Sequence, residues 1–290
     1  MSTSKVTTVA AMLLATALTP APALVLAIAL TPSPAQAAET VLTLDAGVVG
    51  TLSVPEGGVD GPAVVMLHGF ASNRDEIGGI FAAQAEALSQ AGIASLRIDF
   101  RGYGESAGAE AEVTIDRMLE DAEIARTHLA SVEGVDADRI GVLGYSFGAA
   151  IAMLDPADYA AVAVWGQMGD LEGEFVEFLG EEAFATARET GNYTIDLGWR
   201  VISLDAPFFA SIESHDLAAG FVGYSGPFLT LAGADDPATA YFEQYLALAT
   251  GPKQAVVIPG TDHMLGVYSD QPEIGADVVA RTTAWLADNL

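Results

Sequence analysis

Short apolar runs alternate with longer amphipathic stretches along most of the chain. The short runs indicate buried β-strands, because about 4–8 apolar or β-branched residues bounded by glycine, proline or aspartate are typical of sheet structure. The first two are separated by Asp45-Ala46-Gly47, a composition typical of a hairpin turn. The predicted strands are Val41–Leu44, Val49–Val54, Ala63–Leu67, Ile93–Ile98, Arg139–Leu143, Ala160–Trp165, Pro227–Ala232 and Ala255–Ile258.

The longer stretches carry apolar residues at helical spacing, and each follows a predicted strand. The predicted helices are Ile77–Ala91, Thr114–Leu129, Phe147–Leu154, Ala238–Leu248 and Ile274–Leu290. A chain that alternates between strand and helix forms a mostly parallel sheet with helices on both faces. The pattern therefore predicts an α/β fold.

The alternation is interrupted between Gly166 and Tyr224. This segment is acidic and rich in aromatic residues, which are Phe175, Phe178, Phe184, Tyr193, Trp199, Phe208 and Phe209. In open parallel sheets, ligands bind outside the carboxyl ends of the strands. We therefore expect residues 166–224 to form a small cap inserted over that edge.

The N-terminus has the composition of an export signal. Lys5 is the only charged residue before Glu39, and it precedes the apolar run Val6–Leu30. The small-residue pattern Ala35-Gln36-Ala37 then resembles a signal-peptidase site. The sequence predicts a signal peptide of residues 1–37 and a mature domain of residues 38–290 that is periplasmic or secreted. The alternative is an uncleaved anchor, because the apolar run is long enough to span a bilayer.

Charge and cysteine content exclude several classes of function. The chain has 39 acidic residues and 11 basic residues, which gives a net charge of −28. This charge excludes nucleic acid as a partner and disfavours binding to anionic lipid, since few cations are present to neutralise phosphates. The absence of cysteine excludes disulfides, thiol nucleophiles and cysteine-based zinc sites.

The segment Gly144–Gly148 reads Gly-Tyr-Ser-Phe-Gly and carries the strongest chemical signal. It follows a predicted strand and opens a predicted helix, which is the context that a nucleophile elbow requires. The two glycines allow the chain to turn tightly, and the turn exposes the hydroxyl of Ser146 above the sheet. We therefore predict Ser146 as the nucleophile of an acyl-transfer reaction.

The catalytic base is predicted from chain order. An elbow serine of this type is followed first by an acid and then by a histidine. Only His215 and His263 follow Ser146. His263 comes just after a predicted strand and is assigned as the base, whereas His215 is interpreted as a polar surface residue near Asp216.

The acid is predicted after strand Pro227–Ala232, where the chain contains Asp235 and Asp236. A carboxylate here would accept the Nδ1–H of the histidine and stabilise the imidazolium. We favour Asp236, because it precedes the proline that opens the next helix. Asp235 stays open as an alternative, and the aspartate that does not bind the histidine is expected to cap that helix.

An oxyanion hole needs one backbone N–H from the residue after the nucleophile and one from the loop after an earlier strand. The sequence His68-Gly69-Phe70 follows strand Ala63–Leu67. We therefore assign the amides of Phe70 and Phe147 to the oxyanion hole and expect their rings to line the acyl pocket.

His68 is expected to be a buried structural residue. Asp99 and Arg101 are expected to form a structural ion pair or turn, and the alternative is that they bind substrate.

These segments resemble the α/β-hydrolases, in particular the branch with serine aminopeptidase-like hydrolases and cinnamoyl or feruloyl esterases. The resemblance spans the chain from about Val41 to its end. It is carried by His68–Phe70, Asp99–Ser106, Gly144–Gly148, Gly233–Pro237 and Asp262–His263. It implies the α/β-hydrolase fold with a Ser-His-Asp triad. One departure is the short segment between Ser146 and Ala160, which predicts a short helix after the nucleophile.

The prediction is a serine esterase that forms an acyl-enzyme on a small-molecule carboxylic ester and needs neither cofactor nor metal. Epoxide- and haloalkane-cleaving branches of the fold use aspartate at the elbow and dienelactone hydrolases use cysteine, so Ser146 disfavours those reactions. The alternatives are a non-catalytic binding protein of the same fold, or a peptidase, acyltransferase or perhydrolase that uses the same triad.

Overall fold

The computed structural model describes residues 38–198 and 200–290. The predicted signal peptide, residues 1–37, and Trp199 of the predicted cap lie outside the described residues. The strands are β1 (Ala38–Thr43), β2 (Val49–Val54), β3 (Gly61–Leu67), β4 (Ala94–Asp99), β5 (Val135–Tyr145), β6 (Val162–Trp165), β7 (Asn192–Asp196), β8 (Val201–Asp205), β9 (Phe228–Gly233) and β10 (Lys253–Ile258). The helices are α1 (Ile80–Gln90), α2 (Ile115–Ser131), α3 (Phe147–Leu154), α4 (Leu171–Leu179), α5 (Glu181–Thr190), α6 (Ala206–Ser214), α7 (Leu217–Phe221), α8 (Phe242–Leu248) and α9 (Pro272–Asn289).

One eight-stranded sheet has the order β1-β2-β4-β3-β5-β6-β9-β10. The pairs β1–β2 and β2–β4 are antiparallel, and the pairs from β4 onward are parallel. The predicted α/β class with a mostly parallel sheet is confirmed. Since the parallel strands share one direction, the segments that follow β3, β5, β6, β9 and β10 all leave from the same edge.

Both faces of the sheet are covered. Successive side chains of a strand point to opposite faces, so Val65 of β3 packs with α2 and α3, whereas Val64 and Met66 pack with α1 and α9. All three side chains are fully buried. Each Å² of apolar surface buried in these two layers contributes about 25 cal/mol to the stability of the sheet that carries the strand ends.

Two predicted helices start later than their apolar spacing indicates. The chain at Ile77–Gly79 forms a 3₁₀ turn, because Gly78 and Gly79 have φ angles of 54° and 77°, and α1 begins at Ile80. Pro237–Tyr241 also forms a 3₁₀ turn before α8. The helix after Ser146 is short, as predicted, and ends at Leu154.

The segment between β6 and β9 contains α4 to α7 and the antiparallel hairpin β7–β8. Its second half joins the main helical layer: α7 packs against α3, and the N–H of Ile115 in α2 donates to the hydroxyl of Ser211 in α6 at 3.2 Å. Its first half, α4 and β7, lies at the edge where the strands end. Among the described residues, no helix has the length and apolar character needed to cross a bilayer.

Candidate active site

Ser146 occupies a strained turn between β5 and α3. Its φ and ψ angles are 54° and −116°, a conformation that costs a non-glycine residue roughly 1–3 kcal/mol. The turn requires glycine at positions 144 and 148, because neighbouring backbone atoms lie too close for a side chain. A Cβ at Gly144 would lie 2.4 Å from the carbonyl oxygen of Gly148, and a Cβ at Gly148 would lie 2.0 Å from that of Leu67. The turn therefore has the geometry of a nucleophile elbow.

The structure brings His263 to Asp236 and not to Asp235. The Nδ1 atom of His263 lies 2.9 Å from Oδ2 of Asp236, whose side chain is only 3% exposed. The other oxygen, Oδ1, accepts the N–H of Ala238 at 2.9 Å. The expectation that the two aspartates divide these tasks is therefore wrong. Asp236 binds the histidine and caps the following turn, because its two oxygens point in different directions, while Asp235 is exposed.

The electrostatics of His263 favour its protonated form. Burial disfavours the imidazolium, but the hydrogen bond and charge of Asp236 outweigh it, and the charges of Glu76 and Asp262 add to the effect. Together they raise the pKa of His263 above its ordinary value. A more basic imidazole accepts a hydroxyl proton more readily, provided that it is neutral at the working pH.

Tyr145 also positions His263, a role that the sequence analysis missed. The two rings are stacked with centroids 5.2 Å apart, and the Tyr145 hydroxyl donates to the His263 carbonyl at 2.8 Å. Burial and the nearby carboxylates raise the pKa of Tyr145, so the phenol stays a donor. The only sequence signal was its place beside Ser146, which does not indicate a partner 118 residues away.

Gly166, at the end of β6, leaves room for the histidine–aspartate pair. A Cβ on this residue would lie 2.8 Å from Cε1 of His263 and 3.0 Å from Oδ2 of Asp236. Its φ angle of 52° is also in the region that favours glycine. A side chain at position 166 would therefore collide with the pair and strain the backbone.

The loop after β3 lies against the elbow. A Cβ on Gly69 would be 3.3 Å from the Cβ of Ser146. His68 is fully buried as expected: its Nε2 accepts the N–H of Phe100 at 3.1 Å, so its Nδ1 carries the proton and donates to the Gly69 carbonyl at 2.7 Å. Burial lowers the pKa of His68 to about 4, against the opposing effects of this hydrogen bond and of Asp99.

The orientation of the Gly69–Phe70 peptide follows from that hydrogen bond. In a trans peptide the C=O and N–H groups point in opposite directions, so the Phe70 N–H points away from His68. Within residues 38–198 and 200–290, neither this N–H nor that of Phe147 donates to a protein acceptor. Among the described residues, both amides are therefore unpaired.

Ser146, Asp236, His263, Phe70 and Phe147 all border one cavity of about 840 Å³. The rings of Phe70 and Phe147 lie in a cluster of aromatic side chains, and each contacts Phe175 of α4, with centroids 5.4 and 5.1 Å apart. The remaining lining is mostly apolar. It includes Ile77, Met168, Phe178, Leu179, Tyr193, Ile195, Leu197 and Met264.

The loop residues Asp99 and Arg101 do not pair with each other. Asp99 is fully buried and binds Arg74, whereas Arg101 binds Asp121 and Glu120. The expected ion pair between them is therefore wrong, since each binds other partners, whereas the expected turn is present at Arg101 and Gly102. Neither residue borders the cavity.

His215 lies away from the cavity, but its surroundings differ from those expected. Its Nδ1 lies 2.7 Å from the carbonyl oxygen of Ser211, and its Nε2 lies 3.7 Å from a carboxylate oxygen of Asp116. Asp216, the predicted neighbour, instead caps α7 by accepting the N–H of Ala219 at 3.0 Å.

Two glutamates at the cavity were missed by the sequence analysis. Glu76 is 6% exposed and lies in the loop between β3 and α1, and Glu174 of α4 accepts the N–H of Gly169. Burial raises the pKa of both carboxyls, while hydrogen bonds from backbone amides and the charge of His263 oppose the shift. In a chain with 39 acidic residues, neither glutamate could be distinguished by sequence.

Comparison with known proteins identifies the family. A model of the alpha/beta hydrolase family matches residues 64–278. The chain is 31% identical over 212 residues to an uncharacterized protein of Mycobacterium tuberculosis, a match that covers 71% of this chain and 64% of that protein. It is also 33% identical over 105 residues to an uncharacterized 31.7 kDa protein of Escherichia coli, with 36% of each chain covered. The chain thus spans less than two thirds of either relative.

Solved structures share the fold. Est1E from Butyrivibrio proteoclasticus, solved with ferulic acid bound, superimposes with a TM-score of 0.64 at 20% identity. The match covers 84% of this chain and 98% of that one. The α/β-hydrolase fold predicted from the sequence is thereby confirmed. Since the family model covers most of the chain, this protein belongs to the alpha/beta hydrolase family.

Proposed function

We propose that the protein is a serine hydrolase that cleaves carboxylic esters through an acyl-enzyme on Ser146. The observation that carries the proposal is the single cavity where a strained serine, a histidine bound to a buried carboxylate and two free amides meet. These are the parts that acyl transfer requires: a nucleophile, a base with its orienting acid, and donors for the developing oxyanion.

In the proposed reaction, His263 removes the hydroxyl proton of Ser146 as its oxygen attacks the ester carbonyl. The Phe70 and Phe147 amides bind the carbonyl oxygen, which becomes negative in the tetrahedral intermediate. Asp236 stabilises the imidazolium, which then protonates the leaving alcohol. His263 next deprotonates a water molecule, which attacks the acyl-enzyme, releases the acid and restores the serine.

The cavity lining supports a substrate whose acyl group is apolar and uncharged. The aromatic cluster offers apolar contact, and Glu76, Glu174 and Asp196 add negative charge at the walls. Among the lining residues that the structure describes, His263 is the only one that can carry positive charge. A carboxylate on the acyl chain would therefore be repelled and left without a cationic partner.

A panel of p-nitrophenyl esters tests this function. We expect kcat/KM to rise by a factor of about 3–4 for each methylene that enters the cavity, since burying one is worth about 0.8 kcal/mol. A matched pair tests the charge preference: the hexanoate ester should be hydrolysed at least about tenfold better than the adipate monoester. Preference for the monoester, or no ester hydrolysis by folded protein, would contradict the proposal.

We also propose that the protein is exported and that residues 1–37 are removed, on the grounds of the Ala35-Gln36-Ala37 pattern. Protein isolated from its native host should then begin at or near Ala38. Intact-mass measurement checks this expectation, with protein expressed without residues 1–37 as the mass standard. Recovery of the full-length chain from the membrane fraction would favour the uncleaved anchor instead.

A further inference from the structure

Glu76 has a backbone conformation that side-chain-bearing residues rarely adopt. Its φ and ψ angles are 59° and −176°, a region populated mainly by glycine. The side chain is buried at the wall of the cavity and is 6% exposed. A strained backbone with a buried carboxylate persists only where the surroundings hold both in place, so the contacts of this carboxylate are informative.

Three donors converge on the Glu76 carboxylate. Oε2 accepts the N–H of Gly69 at 2.6 Å, whereas Oε1 accepts the Ser72 hydroxyl at 2.8 Å and the N–H of Ile77 at 2.9 Å. Charge-assisted hydrogen bonds of this kind are about twice as strong as neutral ones. Glu76 thus ties Gly69, near the start of the loop between β3 and α1, to Ser72 and Ile77 further along this loop.

Gly69 is consequently held from both sides. Glu76 binds its N–H, and His68 binds its C=O at 2.7 Å. Because the peptide that follows Gly69 is planar, fixing these two groups also fixes the direction of the Phe70 N–H. Gly69 lies against the elbow, since a Cβ on it would be 3.3 Å from the Cβ of Ser146, and Phe70 borders the same cavity as Ser146.

We propose that Glu76 is a positioning residue, which holds Gly69 so that the Phe70 N–H meets the carbonyl oxygen in the transition state. The proposal rests on the proposed function, in which this amide binds the oxyanion. Glu76 itself need not touch the substrate, because its oxygens are occupied by the loop. Displacement of an oxyanion donor by about 1 Å is enough to cost on the order of 10² in rate.

Four variants separate positioning from stability. Glu76→Ala removes the carboxylate and keeps the backbone strain, whereas Glu76→Gly removes both. Glu76→Gln keeps one acceptor for the Gly69 N–H. The matched control is Asp75→Asn, since the neighbouring Asp75 carboxylate is half-exposed and binds Arg97, away from the cavity.

The measurement compares an ester with the corresponding thionoester. A thiocarbonyl sulfur is a poor hydrogen-bond acceptor, so thionoester cleavage depends little on the oxyanion amides. We expect Glu76→Ala and Glu76→Gly to lose about 10- to 100-fold in kcat on the ester, with KM within about twofold, and to keep their thionoester rate. Glu76→Gln should recover part of the loss, and Asp75→Asn should match wild type.

Thermal unfolding supplies the second readout. Glu76→Gly should melt above Glu76→Ala, because glycine adopts a positive φ without strain. If Glu76→Gly regains both the stability and the activity that Glu76→Ala loses, the role of Glu76 is structural and the proposal is overturned. Equal losses on ester and thionoester would overturn it as well. Failure of the proposed function is distinguishable, since wild-type protein would then hydrolyse neither substrate.

Discussion

Replacing Ser146 with alanine is expected to abolish covalent labelling by a fluorophosphonate and to lower ester turnover by a factor on the order of 10⁶. The loss is large because, in the proposed reaction, the serine oxygen forms the bond to the acyl carbon, and His263 and Asp236 act through that oxygen. The fold should persist, since alanine is close in size to serine and the elbow strain is the same for both. Gel-based labelling and p-nitrophenyl ester hydrolysis measure the two effects, and circular dichroism verifies folding.

A matched control for this variant is Ser269→Ala. Ser269 is exposed in the loop after His263, and its hydroxyl donates to the Gly266 carbonyl at 2.7 Å. It does not border the cavity, so the control should label and hydrolyse as wild type does. A folded Ser146→Ala protein that still labels, or that retains near wild-type turnover, would show that another residue is the nucleophile.

The parts of the site that the sequence predicts are those defined by local structure or by chain order. The Ser146 elbow needs only a strand, a helix and two glycines within five residues, so its conformation follows from nearby sequence. His263 was identified because few histidines follow the serine. The strands were predicted for a similar reason, since buried parallel strands are short, continuous apolar runs.

The parts that the sequence does not predict depend on tertiary contacts. Tyr145 contacts His263 only because β5 and the loop after β10 end at the same edge of the sheet. Glu76 is distinguished by its burial and by the Gly69 N–H, and both arise from the folding of one loop. The late start of α1 is set by the pair Gly78–Gly79, whose φ angles of 54° and 77° are outside the helical region although the apolar spacing continues through them.

The two neighbouring aspartates illustrate this difference most directly. In sequence, Asp235 and Asp236 have the same chemistry and nearly the same distance to the next helix. In the structure, Asp235 is exposed and Asp236 is 3% exposed. The turn after β9 is held by backbone hydrogen bonds: the N–H of Asp235 donates to the Thr261 carbonyl at 3.0 Å, and the N–H of Asp236 donates to the Gly233 carbonyl at 3.1 Å. Within this turn the side chain of Asp236, and not that of Asp235, binds His263.

Asp236→Asn is therefore expected to lower kcat by a factor on the order of 10⁴, whereas Asp235→Asn should stay within about twofold of wild type. An asparagine amide donates to Nδ1 of His263, which leaves the proton on Nε2, so the ring cannot accept the proton of Ser146. Its carbonyl can still accept the Ala238 N–H, and the capped turn should survive. Steady-state kinetics on the two variants, with melting temperatures, measure the difference. A larger loss in Asp235→Asn would reverse the assignment.

The pH dependence of the residual activity gives a second test of the same pair. In the proposed reaction His263 acts as a base only when neutral, so we expect kcat/KM to fall as the pH drops through its pKa. In wild type, burial lowers that pKa, but the hydrogen bond and charge of Asp236 raise it above its ordinary value. Asp236→Asn removes the two largest raising effects and leaves the burial, which is then opposed only by the charges of Glu76 and Asp262. The acid limb of its pH profile should therefore move to lower pH, while that of Asp235→Asn should remain in place. An unmoved acid limb in Asp236→Asn would mean that this carboxylate does not set the protonation of His263.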